Sequence, residues 1–156
     1  MNSPLQNDIF YMRQALKAAE HAEKEGEVPV GAVLVQNQQI ISIAFNRTIT
    51  QCDPTAHAEI LLLRLAAKQL KNPRLLESTV YVTLEPCLMC LGAMHQARIK
   101  RLVFGAYDPR FGATSHLQLF QTKDLNHTFE LTDGLLASRC AEKLQQFFKE
   151  KRKKTK

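Results

Sequence analysis

The stretch TVYVTLEPCLMCLGAMHQARIKRLVFGA, residues 79–106, decides the architecture. It opens with β-branched and aromatic residues from Thr79 to Leu84, which read as a strand. Pro86 interrupts that run, and the apolar residues beginning at Cys87 read as a helix. Leu102 to Ala106 then reads as a second strand. A strand–helix–strand unit of this kind is expected to bring its two strands together in parallel. Working outward, Ile9, Met12, Leu16, Ala19 and Ala22 recur at helical spacing across Asp8–Lys24, and Gly26 stops that helix. Val28–Val35 reads as a strand, Asn37-Gln38 as a turn and Gln39–Phe45 as the returning strand. A helix is expected from about His57 to Leu70, a short strand at Thr128–Leu131 and a long helix from about Gly134 to Lys149. Pro109–Asn126 carries little pattern beyond one helical turn expected near Leu117–Phe120. These elements predict the α/β class: a three-layer α/β/α sandwich, with a mixed central sheet of about five strands and helices on both faces. Ligands in such sheets sit outside the carboxyl ends of the strands, where Cys87 falls.

A chain of 156 residues is one domain by size, taken as 1–148, followed by a basic tail, 149–156, expected to be mobile. Apolar residues at 45% and charged residues at 23% exclude a disordered or fibrous class. The N-terminus lacks the basic and apolar regions of a signal peptide, and no apolar run is long enough to cross a bilayer. A soluble, cytoplasmic protein with no membrane partner is therefore expected. The net charge of +6 is unevenly placed: residues 149–156 hold six bases and one acid, and the rest holds 15 bases and 14 acids. Charge alone thus gives nucleic acid a reason to bind the tail but not the body. A solvated, frayed end explains the same tail.

Two short strings carry the chemistry: His57-Ala58-Glu59 and Pro86-Cys87-Leu88-Met89-Cys90. His57, Cys87 and Cys90 supply three zinc donors, leaving a tetrahedral ion one open position. Water in such a position loses a proton near neutral pH. Cys87 and Cys90 are three apart and share a helix face, and a loop-to-helix junction after Pro86 favours their thiolates. Glu59 is harder to place, because residues two apart on an α-helix point about 200° apart. His57 and Glu59 can share a cavity only if His57 sits at or before the helix start, and Asp53-Pro54-Thr55 supplies turn and capping residues there. The H-x-E…P-C-x-x-C arrangement is the established signature of zinc nucleobase deaminases, with the glutamate as proton shuttle and not as ligand. Cys52, close to His57, offers an alternative fourth ligand for a structural site; otherwise Cys52 and Cys140 read as small packing residues. His21, His95, His116 and His127 lack ligand spacing to either string.

Longer strings carry a resemblance. They are Glu27-Val28-Pro29-Val30-Gly31-Ala32-Val33, Phe45-Asn46-Arg47, Asp53-Pro54-Thr55-Ala56-His57-Ala58-Glu59 and Thr83-Leu84-Glu85-Pro86-Cys87-Leu88-Met89-Cys90. Gly92-Ala93-Met94, Phe104-Gly105-Ala106-Tyr107-Asp108 and Phe147-Phe148 continue the series. In this order they resemble the bacterial tRNA-specific adenosine deaminases from about Glu27 to Phe148. The resemblance implies a cytidine-deaminase-like fold, a homodimer with one Zn2+ per chain, and conversion of the wobble adenosine of a tRNA anticodon stem-loop to inosine. It implies His57, Cys87 and Cys90 as metal ligands and Glu59 as the catalytic proton shuttle. It also implies Asn46 as a hydrogen-bonding partner of the flipped base, Val30-Gly31 as pocket lining and Asp108 in a loop at the neighbouring sugar. Two of these fit the residue chemistry: glycine in a strand often marks close approach of a ligand, and asparagine both donates and accepts. Phe147 and Phe148 beside Lys149, Lys151 and Arg152 suit stacking and phosphate contact, with Phe148 taken as the substrate-binding ring. One of the pair serving the core is the bland alternative.

Two further features read two ways, and a third carries no reading. Arg98, Lys100 and Arg101 form a basic cluster or a solvated strand entrance. Met89, Leu91 and Met94 supply a dimer face or pack on the sheet. Arg110–His127, with Phe111, matches no motif, which leaves its role open. Two other functions compete: a deaminase of the same fold acting on free guanine, cytidine or dCMP, and a non-catalytic zinc-stapled RNA-binding domain. The second has no need of Glu59 beside three donors.

Overall fold

The computed structural model describes residues 1–115 and 127–155. Helix α1 spans Pro4–Lys24, four residues earlier at its start than the apolar period indicates. The reason is a capping box: the Ser3 hydroxyl accepts from the Gln6 N–H at 3.2 Å and the Gln6 side chain accepts from the Ser3 N–H at 2.7 Å, with Pro4 at the first helical position. Gly26, at φ 78°, follows the helix end. Strands β1 (Gly31–Gln36) and β2 (Gln39–Phe45) form a hairpin across Asn37 and Gln38, both at positive φ. The expected strand start at Val28 moves to Gly31, because Pro29 has no N–H and the Val30 N–H turns back to the Val28 carbonyl at 2.8 Å.

Helix α2 (Ala58–Leu70) leads to β3 (Ser78–Leu84), α3 (Leu88–Ala97) and β4 (Arg101–Ala106). Strand β5 (Glu130–Thr132) and helix α4 (Ala137–Lys154) follow. The sheet order is β2-β1-β3-β4-β5, with β1 antiparallel to both β2 and β3 and with β3, β4 and β5 mutually parallel in sequence. The parallel pairing of β3 with β4 is the one that residues 79–106 imply. Side chains alternate across the layers through the middle of the sheet, with Ala106 at the end of β4 joining the face opposite to Leu102 and Phe104. Ala32, Leu34, Val80, Val82, Leu102 and Phe104 face α2 and α3. Val33, Val35, Tyr81 and Val103 face α1 and the Cys140 end of α4. Both faces are therefore covered, and the α/β/α sandwich expected from the sequence is the fold.

One reading changes at the C-terminal end of the chain. Helix α4 runs to Lys154, so most of the 149–156 tail prolongs it where the sequence pattern ended the helix near Lys149. Lys and Arg are good helix formers, and four of them in the last turn complement the helix dipole. The basic cluster near β4 is structural in two of its three members. Lys100 pairs with Glu77 at 2.8 Å, and Arg101 grips Asp8 of α1 through two hydrogen bonds at 2.9 and 2.8 Å. The helical turn expected near Leu117–Phe120, and His116 with it, lie outside the described residues.

Candidate active site

His57 sits where Glu59 requires it. It is the N-cap of α2, in extended backbone at φ −71° and ψ 152°, so its side chain is released from the helical sweep that would separate it from Glu59. The duty of capping passes to Asn46, whose Oδ1 accepts from the Ala58 N–H at 2.8 Å. Cys87 is likewise the N-cap of α3, again extended, and Cys90 lies within the first turn. Both elements thus present their ligands from helix starts, where the dipole favours an anionic thiolate.

The three donor atoms form a compact triangle. His57 Nδ1 lies 3.6 Å from Cys87 Sγ and 3.5 Å from Cys90 Sγ, and the two sulfurs are 3.7 Å apart. Ordinary zinc bond lengths arranged tetrahedrally give edges of about 3.8 Å between sulfurs and about 3.6 Å from sulfur to nitrogen. The donor set therefore fits zinc in type and in dimension, with three corners of the tetrahedron supplied by protein. Among the described residues His57, Cys87 and Cys90 are the single group able to hold a metal ion. Cys52 is exposed, with its thiol toward the Ile49 carbonyl at 3.7 Å, so it neither completes the site nor packs in the core. Cys140 does pack, filling the space that Gly105 leaves beside β4.

The electrostatics of the cluster are strongly coupled. The Cys90 thiol and the His57 ring together hold Cys87 down at about 4. Cys87 and burial push Cys90 in the opposite direction, and hydrogen bonding to Cys87 raises His57. Burial raises Glu59, which is 4% exposed yet contributes to the wall of the cavity. A carboxyl two residues from one donor and lining the same cavity is chemically able to carry a proton.

That cavity measures about 630 Å³ and is lined from the carboxyl ends of β2, β3 and β4 and the amino end of the antiparallel β1. Val30, Asn46, His57, Glu59, Cys87, Asp108 and Phe148 all line it, so eight of the nine site residues expected from sequence meet around one space, Cys90 lying directly beneath. Gly31 does not. A side chain at Gly31 would meet the Ala15 carbonyl of α1 at 2.0 Å and the Ala19 amide nitrogen at 2.5 Å. The close approach inferred there is real, but a helix makes it rather than a ligand. Phe147 is buried and Phe148 is 43% exposed, which divides the pair into one core ring and one cavity ring. Leu91 and Met94 are fully buried against the sheet, whereas Met89 is exposed.

Two buried carboxylates, absent from the sequence-level site, build the cavity walls. Glu27 accepts from the N–H groups of Ile49 and Thr50 at 3.0 and 2.8 Å, fixing the segment that carries Thr48 into the cavity. Burial would raise its pKa, but these bonds and those of the threonine hydroxyls win and hold it below the usual range. Glu85 accepts from the N–H groups of Asp108 and Thr114 at 3.0 and 3.1 Å and from the Thr114 hydroxyl. Segment 108–114 winds round it so closely that a side chain on Gly112 would stand 2.3 Å from the Glu85 carboxylate. Asp108 spends its Oδ1 on the N–H groups of Arg110 and Phe111, at 3.0 and 3.1 Å. An acid following an apolar strand and preceding Pro86 was the available signal for Glu85.

The fold and the three-donor site define a zinc-dependent deaminase. The family model of the cytidine and deoxycytidylate deaminase zinc-binding region matches residues 5–106, and the chain belongs to this family, in its tRNA-specific adenosine deaminase branch. It is 54% identical over 151 residues to the tRNA-specific adenosine deaminase of Haemophilus influenzae, covering 96% of this chain and 87% of that one. It is 47% identical over 150 residues to that of Bacillus subtilis, covering 96% and 93%. A solved structure from work on A-to-I editing by tRNA:A34 deaminases at the wobble position superposes with a TM-score of 0.82 at 43% identity, covering 86% of this chain and 99% of that one. A guanine deaminase from Nitrosomonas europaea, 20% identical with a TM-score of 0.73, covers 94% and 85% and shares the fold.

Proposed function

We propose that this chain hydrolyses the wobble adenosine of a tRNA anticodon loop to inosine and ammonia. The observation that carries the chemistry is the pairing of Glu59 with a three-donor zinc site at the floor of one open cavity. Relatives at 54% and 47% identity over nearly the whole chain select the substrate. Zinc held by His57, Cys87 and Cys90 supplies the positive charge that makes water acidic enough to act near neutral pH. The remaining work falls to the chain. Glu59 takes one proton from the attacking water and delivers it to the ring nitrogen beside the reacting carbon; it then takes the remaining proton from the hydroxyl now on that carbon and passes it to the amine, so that the carbonyl forms as the C–N bond breaks and ammonia leaves. Asn46 keeps its amide NH2 for the base, since its oxygen is committed to Ala58. Val30 packs against the purine. Asp108 has a second carboxylate oxygen for a ribose hydroxyl, a contact that distinguishes RNA from DNA.

A base in a loop must be turned out of its stack to reach this depth, and a loop base costs less to extract than a paired one. Phe148 stacks on it or its neighbour, and the basic end of α4 meets phosphate. Leu88 and Met89, exposed at 56% and 38% beside the ligands on α3, support a homodimer built on that face. No helix among the described residues is long and apolar enough to cross a membrane, consistent with work on tRNA in the cytoplasm. The test is incubation of the zinc-loaded chain with anticodon stem-loops bearing adenosine at the wobble position, read as inosine. Conversion there, and not one nucleotide away, is expected. Deamination of free guanine with RNA untouched refutes the assignment, and RNA binding without ammonia release would favour the non-catalytic alternative.

A further inference from the structure

Three large aromatic side chains stand exposed round the mouth of the cavity: Tyr107 at 56%, Phe111 at 68% and Phe148 at 43%. Rings of this size normally bury much of their surface. Each is held at the surface by defined contacts. Tyr107 meets the core ring of Phe104 edge to face, with centroids 5.2 Å apart, and its hydroxyl donates to Asp133. Phe148 meets Phe147 in the same way at 5.4 Å. Phe111 carries the Arg110 guanidinium 5.6 Å over its ring, and its N–H is tied to Asp108 within the segment that Glu85 clamps.

Charge selects the occupant. Arg110 adjoins Phe111, and Lys149, Lys151 and Arg152 follow Phe148 on α4. Among the acids, Asp108 accepts from two backbone N–H groups, Glu85 from two backbone N–H groups and the Thr114 hydroxyl, and Asp133 from Tyr107. Aromatic faces interleaved with cations suit unpaired nucleotides, whose bases stack and whose phosphates pair. Turning one base into the cavity strips its neighbours of a stacking partner at this mouth.

We infer that Tyr107 and Phe111, with Phe148, form a stacking rim that receives the nucleotides on either side of the extruded adenosine. The inference rests on the function proposed above and deepens it: the site recognises a short unpaired segment, not one base. Because every base offers a flat face, the rim tolerates sequence but demands that flanking bases be present and unpaired.

The test uses the full zinc-loaded chain and anticodon stem-loops with the nucleotide 5′ or 3′ of the target intact or abasic. Phe111→Leu and Tyr107→Leu keep apolar bulk and remove the ring. Each is expected to raise KM on the intact stem-loop roughly 5- to 150-fold, the range that base–aromatic stacking spans, with one zinc per chain retained. Phe111→Tyr, which restores a ring, is expected to recover most of that loss. An abasic flank is expected to penalise the wild type by a similar factor and to add little to the variant that has lost the ring serving it. Penalties that multiply independently in both variants, or KM unchanged in both, overturn the rim. A wild type inactive on the intact stem-loop overturns the functional reading itself, a separate outcome.

Discussion

Replacing Glu85 by alanine separates the wall of the cavity from its floor. The carboxylate is 8% exposed and accepts three hydrogen bonds from segment 108–114. Bonds to a charged acceptor contribute about 1.5–3 kcal/mol each, so opening the wild-type segment costs roughly 5 kcal/mol or more from this side chain alone. In Glu85→Ala the segment has two choices. Staying closed leaves three donors buried without acceptors, at about 1–3 kcal/mol each. Opening to water gives up the Gly112 N–H bond to the Asp108 carbonyl at 2.9 Å and the Ala113 N–H bond to the Pro86 carbonyl at 3.0 Å. Those two neutral bonds are worth about 1 kcal/mol each, so opening wins. Amide exchange over 108–114 is therefore expected to lose roughly a thousandfold of protection, about 4 kcal/mol, and the global melting temperature to fall by about 8–16 °C. Hydrogen–deuterium exchange read by mass spectrometry on the zinc-loaded protein measures the first quantity. Because the same segment carries Asp108, Arg110 and Phe111, KM for the stem-loop is expected to rise, with zinc content unchanged. Glu85→Gln, which keeps one acceptor and turns an NH2 toward the other donors, should fall between. Exchange no faster in Glu85→Ala than in wild type refutes the clamp; faster exchange with unaltered KM refutes its bearing on substrate.

Glu59→Ala is expected to bind one zinc per chain and to lose at least about a hundredfold in turnover, the lower end of what general acid–base catalysis supplies; zinc analysis and an inosine assay on one sample check both. Gly31→Ala drives a methyl into the backbone of α1, at 2.0 Å from the Ala15 carbonyl, and is expected to cost about 3 kcal/mol or more, read as a lowered thermal midpoint with the isolated zinc site intact. Asp8 provides a pH signature. Burial works to raise its pKa, but hydrogen bonds from Arg101 and Tyr81 and the Arg101 charge outweigh it and hold the group below 3.8. A depressed folded pKa means stabilisation that is complete above the unfolded pKa of about 3.9 and lost as pH falls through the folded value. Asp8→Asn is thus expected to be less stable than wild type at pH 7, with the gap closing as pH falls below about 4; a gap independent of pH in urea melts would refute the ion pair's role.

The parts of the molecule that were legible in sequence share a property: their meaning is carried by residue type at fixed spacing. Apolar alternation in Thr79–Leu84 and Leu102–Ala106 specifies which side chains face each helix layer, and Cys-x-x-Cys specifies one helix face whatever surrounds it. The demand that His57 precede the helix came from geometry alone, and the extended N-cap meets it. The tRNA substrate, by contrast, was reached through resemblance, and relatives spanning nearly the whole chain support it.

The illegible parts depend on what a residue meets across the fold. A glycine opening a strand marks close approach, but the sequence does not say whose; at Gly31 the visitor is α1 and not a base. Glu27 and Glu85 read as ordinary acids because their partners are mainly backbone N–H groups. Every residue except proline carries such a donor, so no side-chain pattern announces the pairing. Exposure in Phe111 is invisible for a related reason: its segment matches no motif, and the loop that leaves the ring outside is wound round the Glu85 carboxylate by backbone N–H groups. The zinc floor is therefore encoded by side chains and the walls largely by backbone. Substitutions in the walls that keep every catalytic residue are for that reason the ones expected to retune which nucleic acid enters, without altering the chemistry performed on it.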